Sequence, residues 1–257
     1  SINNRADYGG ALHLAGLASS TRLTDILFEN NTATTNGGAM DSNATFVEIY
    51  NIRFITNYAK YGAALCRESG ATGGSGRNNT FIGNDASYAG AGLAWMGVSN
   101  IKITNYTFIN NTAAEHGGAI YVMEGSDNCK VYECYFEGNE VPTGHGGAID
   151  WAGHNGEIVN TTFLSNSAEY AGAVLICDHA KNMTIASSNF TDCHATKTSG
   201  GAIEACGQNS TIKDCNFISC SAVRYGGSIA GFNACNASLS NLTFKYSIVH
   251  GSRDAQG

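Results

Sequence analysis

Residues 108–120 read Phe-Ile-Asn-Asn-Thr-Ala-Ala-Glu-His-Gly-Gly-Ala-Ile, which joins a Phe-x-x-Asn pattern to a Gly-Gly-Ala-aliphatic turn. The same combination returns at residues 136–149, and its phenylalanine recurs every 26 to 28 residues along the chain. The recurring residues are Phe28, Phe54, Phe81, Phe108, Phe136, Phe163, Phe190, Phe217 and Phe244. A fixed period of about 20–50 residues is typical of a solenoid, in which each repeat buries its apolar face only against its neighbours.

The local pattern indicates strands rather than helices. Short alternating runs such as residues 101–104 (Ile-Lys-Ile-Thr) are separated by Gly and Asn clusters, and runs with helical spacing are missing from the sequence. A repeat of this length with two or three short strands predicts one coil of a parallel β-helix. We therefore expect an all-β, right-handed parallel β-helix that forms a single domain over residues 1–257. About nine coils stacked about 4.8 Å apart would make a rod about 43 Å long.

Equivalent positions of successive coils should form columns along this rod. The nine phenylalanines are predicted to make one internal stack, and each turn glycine pair should allow a positive φ and close backbone approach. The position three residues after each phenylalanine predicts a side-chain amide ladder. Its members are Asn31, Asn57, Asn84, Asn111, Asn139 and Asn166, followed by Cys193, Cys220 and Ser247.

Composition restricts the partners. The net charge is −7, which disfavours nucleic acid and anionic membranes. No apolar run reaches the about 18–20 residues that a membrane-spanning helix needs, so we expect membrane attachment only through an anchor outside this chain. Residues 1–6 align with residues 108–113, within a repeat, which predicts an excerpt of a longer surface protein. No cofactor motif is evident, because the glycine-rich run at residues 70–76 lacks the ending of a phosphate loop.

The alternation of Gly-Gly-Ala-Ile with Phe-x-x-Asn resembles the repeat of chlamydial polymorphic outer-membrane proteins, which adhesin-like surface proteins of methanogenic archaea share. Full or near-full matches lie at residues 37–40, 117–120, 146–149 and 200–203, and the repeat covers essentially the whole chain. The resemblance implies a right-handed β-helix that serves in adhesion at a cell surface. The last repeats depart from the pattern, because Cys193, Cys220 and Ser247 replace asparagine.

Nine cysteines raise the question of disulfides. Cys193 and Cys220 occupy one column on adjacent coils, and Cys177 and Cys206 occupy another, so coil stacking places each pair near the Cα separation that a disulfide requires. A column of free buried thiols is the alternative. Metal binding by these cysteines is not expected, since Cys-x-x-Cys spacing is missing.

Asn-x-Ser/Thr sequons are frequent and suggest an exported glycoprotein. They begin at Asn30, Asn43, Asn78, Asn105, Asn110, Asn160, Asn182, Asn189, Asn209, Asn236 and Asn241. The alternative is that a β-helix places Asn in turns and Thr on strands, which creates sequons without selection for glycosylation.

The residue before each turn glycine forms a further column. It contains Tyr61, His116, His145, Tyr170 and Tyr225, which predict an exposed stripe that could stack on sugars or dock a protein. The alternatives are that these residues merely cover the turn edge, or that the two histidines hold a metal ion for which no third ligand is evident.

Catalytic residues are not predicted. The position after each inward aliphatic residue carries Asp41, Asp150 and Glu204, but these acids never fall on neighbouring coils, so this column builds no carboxylate pair. We therefore expect a non-enzymatic, extracellular adhesin module at the cell surface that attaches to a surface protein or glycan of another cell. The alternatives are a β-helix polysaccharide lyase or hydrolase, and a purely structural stalk.

Overall fold

A computed structural model describes residues 1–16, 19–232 and 236–251, and the strands of this part of the chain form four parallel sheets. Strands are labelled β1 to β37 in chain order. Sheet 1 contains β1 (Arg5–Tyr8), β5 (Thr32–Asn36), β9 (Tyr58–Tyr61), β13 (Asp85–Ala89), β17 (Thr112–Ala113), β21 (Glu140–His145), β25 (Ser167–Tyr170), β29 (His194–Ala195), β33 (Ser221–Ala222) and β37 (Ile248–Val249). Sheet 2 contains β2 (Leu12–Leu14), β6 (Met40–Ser42), β10 (Leu65–Arg67), β14 (Leu93–Trp95), β18 (Ile120–Val122), β22 (Ile149–Trp151), β26 (Val174–Ile176), β30 (Ile203–Ala205) and β34 (Ile229–Gly231).

Sheets 3 and 4 complete each coil. Sheet 3 contains β3 (Arg22–Thr24), β7 (Glu48–Tyr50), β11 (Ser75–Arg77), β15 (Lys102–Thr104), β19 (Lys130–Tyr132), β23 (Glu157–Val159), β27 (Thr184–Ala186), β31 (Thr211–Lys213) and β35 (Ser238–Ser240). Sheet 4 contains β4 (Leu27–Glu29), β8 (Arg53–Ile55), β12 (Thr80–Ile82), β16 (Thr107–Ile109), β20 (Tyr135–Glu137), β24 (Thr162–Leu164), β28 (Asn189–Thr191), β32 (Asn216–Ile218) and β36 (Thr243–Lys245). Each strand pairs with its equivalent one coil away, so the predicted parallel β-helix of about nine coils is confirmed.

A coil has four strands, not the two or three expected from the sequence. The difference arises at corners made by single residues in the left-handed conformation, such as Asn105 with φ of 56° between β15 and β16. Because Asn tolerates this conformation, residues 101–109 bend at Asn105, where the apolar alternation shifts by one position from Ile101 and Ile103 to Tyr106 and Phe108. Strands of three residues are too short for their alternation to reveal the break.

The Gly-Gly turn that leads into sheet 2 needs both glycines, for different reasons. Gly117 has a positive φ of 54°. At Gly118, a Cβ atom would lie 2.2 Å from the carbonyl oxygen of Gly147 on the next coil. The first glycine therefore provides the corner, and the second allows adjacent coils to come close enough to pair.

The interior of the β-helix holds the apolar columns. Successive rings of the nine phenylalanines stack with centroids 4.6–5.2 Å apart and planes within 14° of parallel. The aliphatic residues that end each Gly-Gly-Ala turn face the same core, for example Met40, Ile120 and Ile149, all completely buried. Trp95 and Trp151 meet edge to face, with centroids 6.1 Å apart.

The asparagine column forms a continuous buried ladder. Each Nδ2 from Asn31 to Asn139 donates to Oδ1 of the next asparagine at 2.9–3.0 Å, and the backbone N–H of the same residue donates to that oxygen at 2.9–3.1 Å. From Asn57 onward, the second Nδ2 hydrogen is donated to a phenylalanine carbonyl of the preceding coil, at 3.0–3.2 Å. Buried amides that satisfy one another in this way link neighbouring coils without leaving an unpaired polar group.

The part of the chain that the structure describes contains no helix that is long and apolar enough to cross a membrane.

Candidate binding site

The predicted stripe lies at the junction of sheets 1 and 2, where strand register aligns its residues. Tyr61 pairs with Ala89, Ala89 with His116, His116 with His145, and His145 with Tyr170. Tyr61, His145 and Tyr170 are the last residues of β9, β21 and β25, and isolated bridges hold His116 in the same register, so these side chains line up along the rod. All four predicted aromatic or imidazole side chains of this run are half-buried.

Five rings on consecutive coils contact one another, and we call them the aromatic stripe: Tyr61, Tyr88, His116, His145 and Tyr170. Centroid distances along it are 5.1, 5.4, 5.7 and 4.7 Å. His116 and His145 are nearly parallel, at 17°. Lys60 lies over the first two rings, with its Nζ 5.4 and 5.8 Å from their centroids.

The composition of the stripe differs from the prediction at two places. Tyr225 is separated from Tyr170 by the coil that carries the buried Ser199, and its ring instead meets Phe232 edge to face at 5.8 Å. Tyr88 was missed because the aligned position in its coil is Ala89. The ladder between β9 and β13 shifts register between Ala86 and Ala89, which brings the tyrosine into the stripe.

A buried carboxylate supports the centre of the stripe. Nδ1 of His116 lies 2.7 Å from Oδ2 of Asp150, and Oδ1 of the same aspartate accepts a hydrogen bond from the Cys177 thiol at 2.9 Å. The hydrogen bond to Asp150 raises the pKa of His116, burial opposes it, and the charges of Asp150 and Glu115 add to the increase. The ring of Tyr121 lies 5.7 Å from that of His116, and burial raises the pKa of its hydroxyl. The stripe thus combines ring faces with a histidine whose pKa is raised by its contact with Asp150.

A second polar cluster lies on the outer face of sheet 2. Asp41 and Glu68 come from adjacent coils, and one donor atom from each, together with the Cys66 sulfur, lie within 4.8 Å of one another. Burial first, and then the charge of Glu68, raise the pKa of Asp41 to about 6. Comparing one column at a time could not find this pair, because Glu68 follows the end of β10 and has no equivalent in the Asp41 column. Among the described residues, they form the one group of three or more His, Cys, Asp or Glu side chains whose ligand atoms lie close enough to hold a metal ion.

The candidate disulfides are absent from the described part of the chain, where all eight cysteines are free thiols. The Cys193 thiol donates to the carbonyl of Thr191 at 3.5 Å, and the Cys220 thiol donates to the carbonyl of Ile218 at 3.6 Å. Burial raises the pKa of Cys193, and the neighbouring Cys193 thiol lowers the pKa of Cys220. In the other pair, each thiol hydrogen-bonds to a different acid, Cys177 to Asp150 and Cys206 to a carboxylate oxygen of Glu204 at 3.8 Å. Cys235 lies outside the described residues.

Most sequons coincide with corners of the fold. Their asparagines have positive φ at Asn30, Asn78, Asn105, Asn110, Asn160, Asn182, Asn209, Asn236 and Asn241. Several also form an exposed ladder, in which Nδ2 of Asn182 donates to Oδ1 of Asn155 at 2.9 Å. Turn geometry therefore accounts for these asparagines, and glycosylation stays a prediction.

Three comparisons place the chain among known proteins. No curated protein matches it. Among solved structures, the Streptococcus pneumoniae surface protein and adhesin PfbA matches with a TM-score of 0.28 and 8% sequence identity, over 90% of this chain and 89% of that one. A family model described as the right handed beta helix region matches residues 7–167, more than half of the 257 residues, and the chain therefore belongs to the right-handed β-helix family.

Proposed function

We propose that this β-helix is a non-enzymatic adhesin module of a cell surface, and that the aromatic stripe attaches it to glycans on another cell. The observation that carries the proposal is the contact of five rings across consecutive coils, which the backbone pairing between coils holds in line. Tyrosine rings offer a large apolar face with a polar end, a combination favoured at binding surfaces.

The repeat resemblance also supports this proposal, since the families that share the Gly-Gly-Ala-Ile and Phe-x-x-Asn pattern are surface proteins. Each ring would contribute a weak contact with a sugar ring, and protonated His116 would donate a hydrogen bond to a hydroxyl or carboxylate. Repeated weak contacts on one rigid surface multiply avidity when several are engaged together. The net charge of −7 is consistent with a protein or glycan partner rather than nucleic acid.

The positions of the acids support the non-enzymatic part of the proposal. A glycosidase needs two carboxyl groups that both reach the scissile bond. Asp41 and Asp150 are completely or almost completely buried, and each is already hydrogen-bonded to a histidine. The stripe itself contains no carboxylate, so its chemistry favours binding.

A glycan array probed with the soluble protein tests the proposal. Replacing Tyr61, Tyr88 and Tyr170 together with Ser should abolish binding to the glycans recognised by the wild type. Tyr246→Ser is the matched control, since this tyrosine is highly exposed and lies outside the stripe. Undiminished binding by the triple variant with an unchanged circular dichroism spectrum would refute the stripe as the binding face.

Incubation with polysaccharides separates the adhesin from the enzyme. We expect no unsaturated or reducing-end products with pectin, alginate or host glycans. Accumulation of either product, lost on substitution of Asp41 or Glu68, would assign the protein to the carbohydrate-active enzymes instead.

A further inference from the structure

The cluster on the outer face of sheet 2 is built on rigid strands. Asp41 in β6 and Cys66 in β10 are directly paired in the parallel ladder, so their side chains project from neighbouring strands at the same register. Both are completely buried. Glu68 joins them from just beyond the end of β10, and Asn36 orients it by donating a hydrogen bond from Nδ2 to Oε1. We call Asp41, Cys66 and Glu68 the acid–thiol cluster.

Asp41 has one oxygen occupied and one open. Its Oδ2 lies 2.8 Å from Nδ1 of His13. Its Oδ1 is buried and has no hydrogen-bond partner among the described residues. Oδ1 of Asn36 is buried and unpartnered as well, and the Met96 thioether lies 3.5 Å from the Cys66 sulfur. A buried carboxylate oxygen without a partner is costly, so this oxygen is free to bind a ligand.

Two acids in the same column show how such a carboxylate is satisfied elsewhere. Asp150 uses one oxygen for His116 and the other for the Cys177 thiol, at 2.7 and 2.9 Å. Glu204 accepts from Ser199 at 2.6 Å and from the Cys206 thiol at 3.8 Å. Asp41 is therefore the one carboxylate of this column, among the described residues, with an oxygen left over.

The local charge also calls for a cation. The cluster brings two carboxylates and a thiol together, whereas the nearby Arg67 turns into the core, where its Nη2 donates to the carbonyl of Ala44 at 3.1 Å. Adjacent buried anions are tolerated in proteins when they are paired or coordinate a metal ion. His13 meets one side of Asp41 only.

We propose that Asp41, Cys66 and Glu68 bind one divalent transition-metal ion of the Zn²⁺ class. A thiolate with carboxylates suits borderline ions and disfavours Mg²⁺ and Ca²⁺, which require oxygen ligands alone. The donor atoms lie within 4.8 Å of one another, so small side-chain rotations would place each of them about 2.0–2.3 Å from a Zn²⁺ ion held between them. On binding, the Cys66 S–H bond breaks, the sulfur forms the metal bond, and the proton passes to solvent. His13 would orient Asp41 as a hydrogen-bond partner behind the ligand.

Titration of the reduced full chain with Co²⁺ tests this site, since a Co²⁺–thiolate bond produces a charge-transfer band in the near ultraviolet. We expect saturation at one ion per chain, and displacement of the band by Zn²⁺ with release of no further proton. Cys66→Ser should abolish the band. Glu68→Gln, a change at a half-buried residue that leaves the fold intact, should weaken Co²⁺ binding by at least about 10-fold.

Cys206→Ser is the matched control, because Cys206 is also a thiol next to an acid on the outer face of sheet 2. It should leave the titration unchanged. The proposal is overturned if wild type shows no charge-transfer band, if the band persists in Cys66→Ser, if it is lost in Cys206→Ser, or if Glu68→Gln binds Co²⁺ as tightly as wild type.

Discussion

Replacing Asn111 with Ala tests what holds adjacent coils together. In the structure, Oδ1 of Asn111 accepts two hydrogen bonds from Asn84, one from the backbone N–H at 3.1 Å and one from Nδ2 at 2.9 Å. Its Nδ2 donates to Oδ1 of Asn139 at 2.9 Å and to the carbonyl of Phe81 at 3.0 Å. All of these groups are buried, so the alanine variant leaves them without access to water.

The size of the expected loss in stability follows from the two hydrogen-bond donors of Asn84, its backbone N–H and its Nδ2, which both lose their acceptor. Each buried donor that loses its acceptor costs about 1–3 kcal/mol, and the cavity left by the amide adds to this. We expect Asn111→Ala to lower the free energy of unfolding by about 3–6 kcal/mol. Asn111→Cys should cost less, because Cys193 occupies the same column and its sulfur donates to a phenylalanine carbonyl at 3.8 Å.

Urea denaturation followed by far-ultraviolet circular dichroism measures these losses. Asn182→Gly is the control, because this asparagine makes a hydrogen bond of similar length, 2.9 Å, but on the exposed surface, and glycine keeps its positive φ. It should cost less than about 1 kcal/mol. If Asn111→Ala is no more destabilising than Asn182→Gly, the buried ladder does not stabilise the stack as we describe.

Three further predictions follow from the core, the stripe and the thiols. Phe136→Ala removes a buried ring that is stacked on both faces and should cost about 3–5 kcal/mol in the same denaturation assay; a loss below about 1 kcal/mol would contradict the stack. Because Asp150 raises the pKa of His116 on folding, protonated His116 stabilises the fold below the unfolded pKa of about 6.5, and this contribution is lost as pH rises through the folded pKa. The melting-temperature difference between wild type and His116→Gln should therefore shrink from about pH 5 to about pH 9, and a constant difference would refute the pairing. Non-reducing peptide mapping should recover Cys193 and Cys220 in separate peptides, whereas a linked peptide would show the disulfide that the structure lacks.

The period of the sequence was sufficient for the architecture because stacking converts equal spacing into contact. Phe108 and Phe136 are 28 residues apart and could be assigned to one stack from the sequence alone, because a nearly constant spacing places one phenylalanine at the same position of every coil. The corner at Asn105 was harder to predict from the sequence. The apolar alternation shifts by one position there, from Ile101 and Ile103 to Tyr106 and Phe108, but strands of three residues are too short for that shift to stand out, so the fourth strand of each coil was missed.

The candidate sites were only partly predictable for a related reason. Comparing equal positions finds His116 and His145, which are in register, but not Tyr88, which a local shift brings into line. Glu68 reaches Asp41 from beyond the end of a strand. Turns there differ between coils, so equal positions in the repeat are no longer equivalent in space. Contacts between unequal positions depend on side-chain direction and local bulges, and the period does not encode either.

Distances between labels placed on the corner that joins sheets 3 and 4 test the stacked-coil account most directly. Asn51, Asn160 and Asn241 are exposed at this corner, and their backbone hydrogen bonds continue from coil to coil. Spin labels attached through non-canonical amino acids, which leave the native cysteines unmodified, allow electron–electron distances to be measured. Asn51 and Asn160 are four coils apart, and Asn51 and Asn241 are seven coils apart. At about 4.8 Å per coil, the account predicts separations of about 19 and about 34 Å. Distances that do not increase in proportion to the number of coils would contradict it.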